Sequence, residues 1–94
     1  MIFRTATVII DGEEFCIREL SGLAVETAQK EATDVRQGYA ILALSLADVQ
    51  GNPIYKVEEL DIALGRIVAM PARVLTQLTD AVQALNQADD AAKN

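Results

Sequence analysis

The run Tyr39-Ala40-Ile41-Leu42-Ala43-Leu44-Ser45-Leu46 constrains this chain more than any other stretch. It is followed at once by Asp48-Val49-Gln50-Gly51-Asn52-Pro53. A segment apolar on every side has to lie inside something, either the rest of its own domain or a neighbouring copy. By length alone such a run fits a buried strand as well as a helix. Its Ala and Leu residues, with no β-branched residue after Ile41, favour helix. The reading is a helix over residues 37–48. Arg36-Gln37-Gly38 loosens the chain before it, and Gly51, Asn52 and Pro53 stop it. Ile54 and Tyr55 then form a short extended piece that folds back on the core.

What can enclose that run is limited by size. The chain has 94 residues, which makes one domain over residues 1–87 with a short tail. A chain this small buries only about two-thirds of its unfolded surface. Yet 51% of its residues are apolar and only 4% aromatic. The core must be built from Ala, Val, Leu and Ile, which suits close helix packing. The excess of apolar residues over available interior argues for self-association into a homo-oligomer.

The remaining elements follow from spacing. Residues 3–20 form an N-terminal β-hairpin, Thr-, Val- and Ile-rich on one arm and alternating on the other, turned by Asp11-Gly12. An isolated hairpin is marginal in water, so it packs on helices or pairs its edge with another chain. Ser21 caps a helix over residues 21–35, with Ala24, Val25, Ala28, Ala32 and Val35 on one side. A third helix covers residues 57–68, with Leu60, Leu64 and Ile67 on its inner face and Glu58, Glu59 and Asp61 at its positive end. Pro71 opens a fourth over residues 71–87, whose Val74, Leu75, Leu78, Ala81, Val82 and Leu85 share an arc of about 120°. Residues 88–94 have little to bury and are expected to be flexible. The fold class is therefore α+β, an N-terminal β-hairpin packed on a mainly α-helical domain of about four helices.

Nothing in the residues assembles a reaction. There is no His, which removes Ser-His and Cys-His nucleophilic pairs. Clustered Cys and His for zinc are absent, and the glycines are scattered singly instead of forming a phosphate loop. No catalytic residue, cofactor or metal is assigned. Cys16 reads as a small buried hydrophobe, and Asp11, Glu13 and Glu14 as a solvated cluster at the hairpin turn. Asp48 reads as a turn residue. A net charge of −6 argues against nucleic acid and anionic membranes as partners. The start of the chain lacks a signal-peptide pattern, and no segment has the length of a membrane span, so a soluble cytoplasmic protein is expected.

One set of residues resembles a known family. Ala40-Ile41-Leu42-Ala43-Leu44-Ser45-Leu46, Asp48, Gly51-Asn52-Pro53-Ile54-Tyr55 and Leu60 are followed by Met70-Pro71-Ala72-Arg73-Val74-Leu75, Leu78, Ala81-Val82 and Leu85-Asn86. Together with Arg18-Glu19-Leu20-Ser21, this is similar to the tail assembly chaperones of long-tailed bacteriophages. Those proteins have an apolar helix, an Asp-x-x-Gly-x-Pro-aromatic turn and a Pro-started helix ending in Leu-Asn. The resemblance implies a non-enzymatic protein of the host bacterial cytoplasm that coats the tape measure protein while the tail tube polymerises. It also implies a longer frameshifted form that recruits the tail tube protein. The partner-binding grooves would be lined by Ala24, Ala28 and Ala32 and by Val74, Leu78 and Val82, although ordinary core packing is the stronger reading for any one of these residues. A structural tail or head–tail component retained in the virion is the alternative, and an adaptor or small-molecule binding module a third.

Overall fold

The computed structural model describes the backbone of residues 2–93 and the side chains of residues 2–87. The hairpin is built from β1 (Thr5–Ile10) and β2 (Glu13–Arg18), antiparallel in a register running from Thr5↔Arg18 to Ile10↔Glu13. Its two-residue turn places Asp11 at φ 53 and Gly12 at φ 81. Both are left-handed, as a turn matching the twist of the strands requires. Alternation then sorts the side chains. Ile10, Phe15 and Ile17 are buried on the inner face, with Ala6 and Val8 half-buried beside them. Thr5, Thr7, Ile9, Glu14, Cys16 and Arg18 take the outer face. Cys16 is therefore half-buried on the outer face and not in the core, its Sγ 3.8 Å from Thr7 Oγ1. The period of two that buries Phe15 and Ile17 turns the residue between them outward.

Ser21 caps α1 (Gly22–Gln29), its Oγ accepting from Ala24 N–H at 3.1 Å. This helix stops well short of residue 35. Thr33 is extended, at φ −130 and ψ 158, and its Oγ1 accepts from Arg36 N–H at 3.1 Å. It is the N-cap of a second helix, and an extended cap cannot also be helix interior. Consequently α2 spans Asp34–Ser45 and takes in Arg36, Gln37 and Gly38, which the sequence reading treats as a loosened joint. The corner between the helices is tied by Gln37 Nε2 donating to the Glu31 carbonyl at 3.0 Å and by Arg36 Nε 3.2 Å from Glu31.

The central run also ends differently. At Leu46 the backbone becomes extended, and β3 (Leu46–Ala47) pairs antiparallel with β2 through Ile17↔Leu46 and Cys16↔Ala47. The free edge of β2 offers hydrogen bonds that two more helical residues would forgo. A three-stranded sheet results, in the order β1-β2-β3. Asp48 then closes the turn. Its Oδ1 accepts from Gln50 N–H at 2.9 Å and Asn52 N–H at 3.0 Å, and Gly51 sits at φ 85. The chain returns along β3, with Ile54 N–H donating to the Leu46 carbonyl at 3.1 Å.

A 3₁₀ turn (Val57–Glu59) leads into α3 (Leu60–Val68), which buries Leu60, Ala63, Leu64 and Ile67. Helix α4 (Ala72–Lys93) buries Val74, Leu78 and Val82 and packs on β1, β2 and α2. Its backbone is helical past residue 87. The flexible segment expected over residues 88–94 falls outside the residues whose side chains are described. Asn86 fastens α4 to the hairpin: its Oδ1 accepts from Leu20 N–H at 3.1 Å while its Nδ2 donates to the Val82 carbonyl at 2.8 Å. At the centre stands α2, packed on α1, α3 and α4. Its Ser45 is fully buried and satisfied, Oγ donating to the Ile41 carbonyl at 2.8 Å.

Candidate partner-binding surface

Of the six side chains nominated from the sequence, five close the core. Ala24, Ala28, Val74, Leu78 and Val82 are all buried, Leu78 at 1% exposure. Ala32 lies between α1 and α2, exposed and outside any helix. The helical spacing that joins Ala24, Ala28 and Ala32 on paper is broken by the Thr33 cap, so no continuous small-residue face forms. Two of the five reach the margin of a surface cleft: Ala24 on α1 and Val74 on α4.

The accessible apolar surface lies elsewhere. A groove of about 380 Å³ runs between α2 and α4 over Val35, Gly38, Tyr39, Leu42 and Leu75. The first turn of α2 projects Val35 into solvent at 61% exposure, and Gly38 leaves the middle of the groove without a side chain. Asp34 and Asp80 stand on its margin. A second groove, of about 570 Å³, lies where the base of the hairpin meets α1 and the segment after β3. It is lined by Phe3, Leu23, Leu44, Pro53, Tyr55 and Val57. Leu23 is 58% exposed there. One wall is held by Arg18, whose guanidinium carbon stands 3.9 Å from the centroid of the Phe3 ring.

These grooves have the character of clefts that accept side chains from a polypeptide. Each is apolar along its floor and bordered by charge, a layout that fits an amphipathic helix. Their exposed apolar residues give the sequence no period of their own, because they are the leftover faces of helices whose periodic faces are buried. The exposed Val35 and half-buried Tyr39, four residues apart at the start of α2, are the one signal that could have located the α2–α4 groove. Among the described residues, no three His, Cys, Asp or Glu side chains come together to hold a metal ion. Nor is any described helix long and apolar enough to cross a membrane.

Among the described residues, a three-stranded antiparallel sheet backed by four helices defines a small α+β fold. Such a fold is found in the solved structure of the bacteriophage HK97 tail assembly chaperone. The two are similar with a TM-score of 0.60 at 23% sequence identity, over 88% of this chain and 85% of that one. The chain thus has a tail-assembly-chaperone-like fold. No family model and no curated protein matches it.

Proposed function

We propose that this chain is a non-enzymatic tail assembly chaperone of a long-tailed bacteriophage, acting in the host bacterial cytoplasm. Its guest in this reading is the tape measure protein, held soluble until the tail tube encloses it. A longer frameshifted product would bring the tail tube protein to the same complex. The observation that carries the reading is the fold it shares with the HK97 tail assembly chaperone over nearly the whole of both chains. The grooves support it. A tape measure helix exposes an apolar stripe before enclosure, and the floor formed by Val35, Tyr39 and Leu75 can receive that stripe while Asp34 and Asp80 favour basic flanks on the guest. Weak contacts repeated over many copies give avidity and still allow stepwise release. Of the residues first nominated, Ala24 and Val74 remain candidates at cleft margins; Ala28, Leu78 and Val82 lie beneath in the core.

Co-expression with the tape measure protein encoded alongside it tests this. The wild-type chain is expected to keep the tape measure protein in the soluble fraction. Gly38→Trp is expected to abolish that effect with the fold intact, because a Cβ at Gly38 meets nothing within 4 Å and the indole fills the groove. Failure of the wild-type chain to solubilise the tape measure protein overturns the function. Full activity of Gly38→Trp overturns the site. Abundance of the chain in purified virions would instead mark it as a structural tail component.

A further inference from the structure

We infer that the outer edge of β1 is the surface through which two copies of this chain join, β1 against β1 in antiparallel orientation, to make one continuous six-stranded sheet. The inference rests on the self-association expected from the apolar excess of the sequence, which would gather the many copies of the functional reading above, and names the surface that performs it.

The edge is identified by the hairpin's own bonding. A two-residue turn makes Ile10↔Glu13 a hydrogen-bonded pair, and at the other end Glu19 N–H donates to the Arg4 carbonyl at 2.9 Å. Bonded pairs alternate along an antiparallel ladder. Ala6, Val8 and Ile10 therefore turn their backbone groups to β2, and Thr5, Thr7 and Ile9 turn theirs outward. Among the described residues β1 is the end of the sheet, whereas the far edge of β2 is taken by β3. The inner face of β1 is also unfinished: Ala6 and Val8 are only half-buried, while Phe15 and Ile17 beside them on β2 are closed.

Proteins blunt an edge of this kind with Lys, Pro, a bulge or short length. Here Thr5–Ile10 is six residues long, carries no charge and no Pro or Gly, and has strongly β-forming side chains. In a chain of net charge −6 it is the stretch that a second copy can approach without repulsion. The geometry selects the pairing. Outward-turned residues must meet outward-turned residues, and the register that pairs all three of them is centred on Thr7. That register sets Thr7 opposite Thr7 and Thr5 opposite Ile9 of the other copy, which gives the exposed Ile9 side chain a neighbour. It also brings the net basic end of one hairpin, Arg4 and Arg18 with Glu19, toward Glu13 and Glu14 at the turn of the other, whose Asp11 is already paired with Arg73 of its own chain at 2.9 Å. A parallel arrangement would set the two acidic turns side by side.

Disulfide trapping in the full chain tests the register. In a Cys16→Ser background, Thr7→Cys places the two thiols on residues about 5.5 Å apart between Cα atoms, within disulfide reach. Thr5→Cys places its own pair about 14 Å apart, beyond the roughly 7 Å limit. Mild oxidation is expected to give a reducible covalent dimer from Thr7→Cys and not from Thr5→Cys. Thr7→Pro removes an outward N–H that the hairpin does not use, and is expected to lower the light-scattering mass with the circular dichroism spectrum unchanged. If Thr7→Cys links no faster than Thr5→Cys, the β1 interface is wrong. If the chain nonetheless remains oligomeric, self-association uses another surface and the functional reading stands. A wild-type chain that is monomeric at its highest soluble concentration overturns the interface and the self-association together.

Discussion

Residues 40–46 and residues 5–10 are both uncharged and mostly apolar. The first segment has α1, α3 and α4 around it and β2 beside its end, and every residue but Ile41 is buried. The second is covered on one face and bonded along one edge. Thr5, Thr7 and Ile9 stay exposed, Ile9 at 70%. Similar composition thus meets two degrees of enclosure. A helix in the middle of a bundle can be surrounded by its own chain. A strand at the end of a sheet has an edge that only another strand can complete.

Substitutions on the enclosed side should be the most damaging. Leu78→Asp inserts a carboxylate among buried side chains with nothing to pair it, a cost of more than about 4 kcal/mol. That consumes most of the stability of a small domain, and far-UV circular dichroism is expected to show an unfolded chain. Ile17→Ala, where the sheet meets the helices, is expected to cost about 3 kcal/mol in urea denaturation through lost burial and a residual cavity. Retention of the wild-type midpoint by either variant would mean that the inner layer is not closed as described.

Smaller effects sharpen the comparison. Asn86→Ala strands the Leu20 N–H at the seam between α4 and the hairpin, and is expected to cost about 1–2 kcal/mol. Amide exchange at Leu20 should accelerate with it. Gly38→Ala is expected to add about 0.5–1 kcal/mol, because the exposed helical position leaves open space for a methyl group. Ile9→Lys lies on the open side, where the stability of a single copy should move by no more than about 0.5 kcal/mol. Its effect is expected in light-scattering mass instead. A large loss of single-copy stability from Ile9→Lys would show the outer face of β1 to be enclosed by its own chain.

Local chemistry made much of the fold legible. Asp11-Gly12 specifies the hairpin turn, Ser21 a helix start, Asp48 with Gly51 a tight turn, and Pro71 the opening of α4; each acts within a few residues of itself. The apolar arc of α4 identifies Val74, Leu78 and Val82 as a buried face because helical period and burial coincide there. The Thr33 cap was also in plain view, since a Thr followed by Asp before an apolar run is a helix-start signal. It was masked by an apparent period running through Ala32 and Val35. The candidate site was far less legible. A periodic face shows what is buried, while a groove is made of what burial leaves over.

Local propensity, period and turn residues were enough to establish an α+β chain with the apolar run from Tyr39 to Leu46 at its centre. Long-range packing had to decide that this run gives up its last residues to β2, that Ala24 and Leu78 are enclosed, and that β1 is left with an open edge. The reason is one of range. Caps and turns are stabilised by neighbours in the chain, but a strand's partner and a groove's second wall come from residues dozens of positions away, as Leu20 meets Asn86.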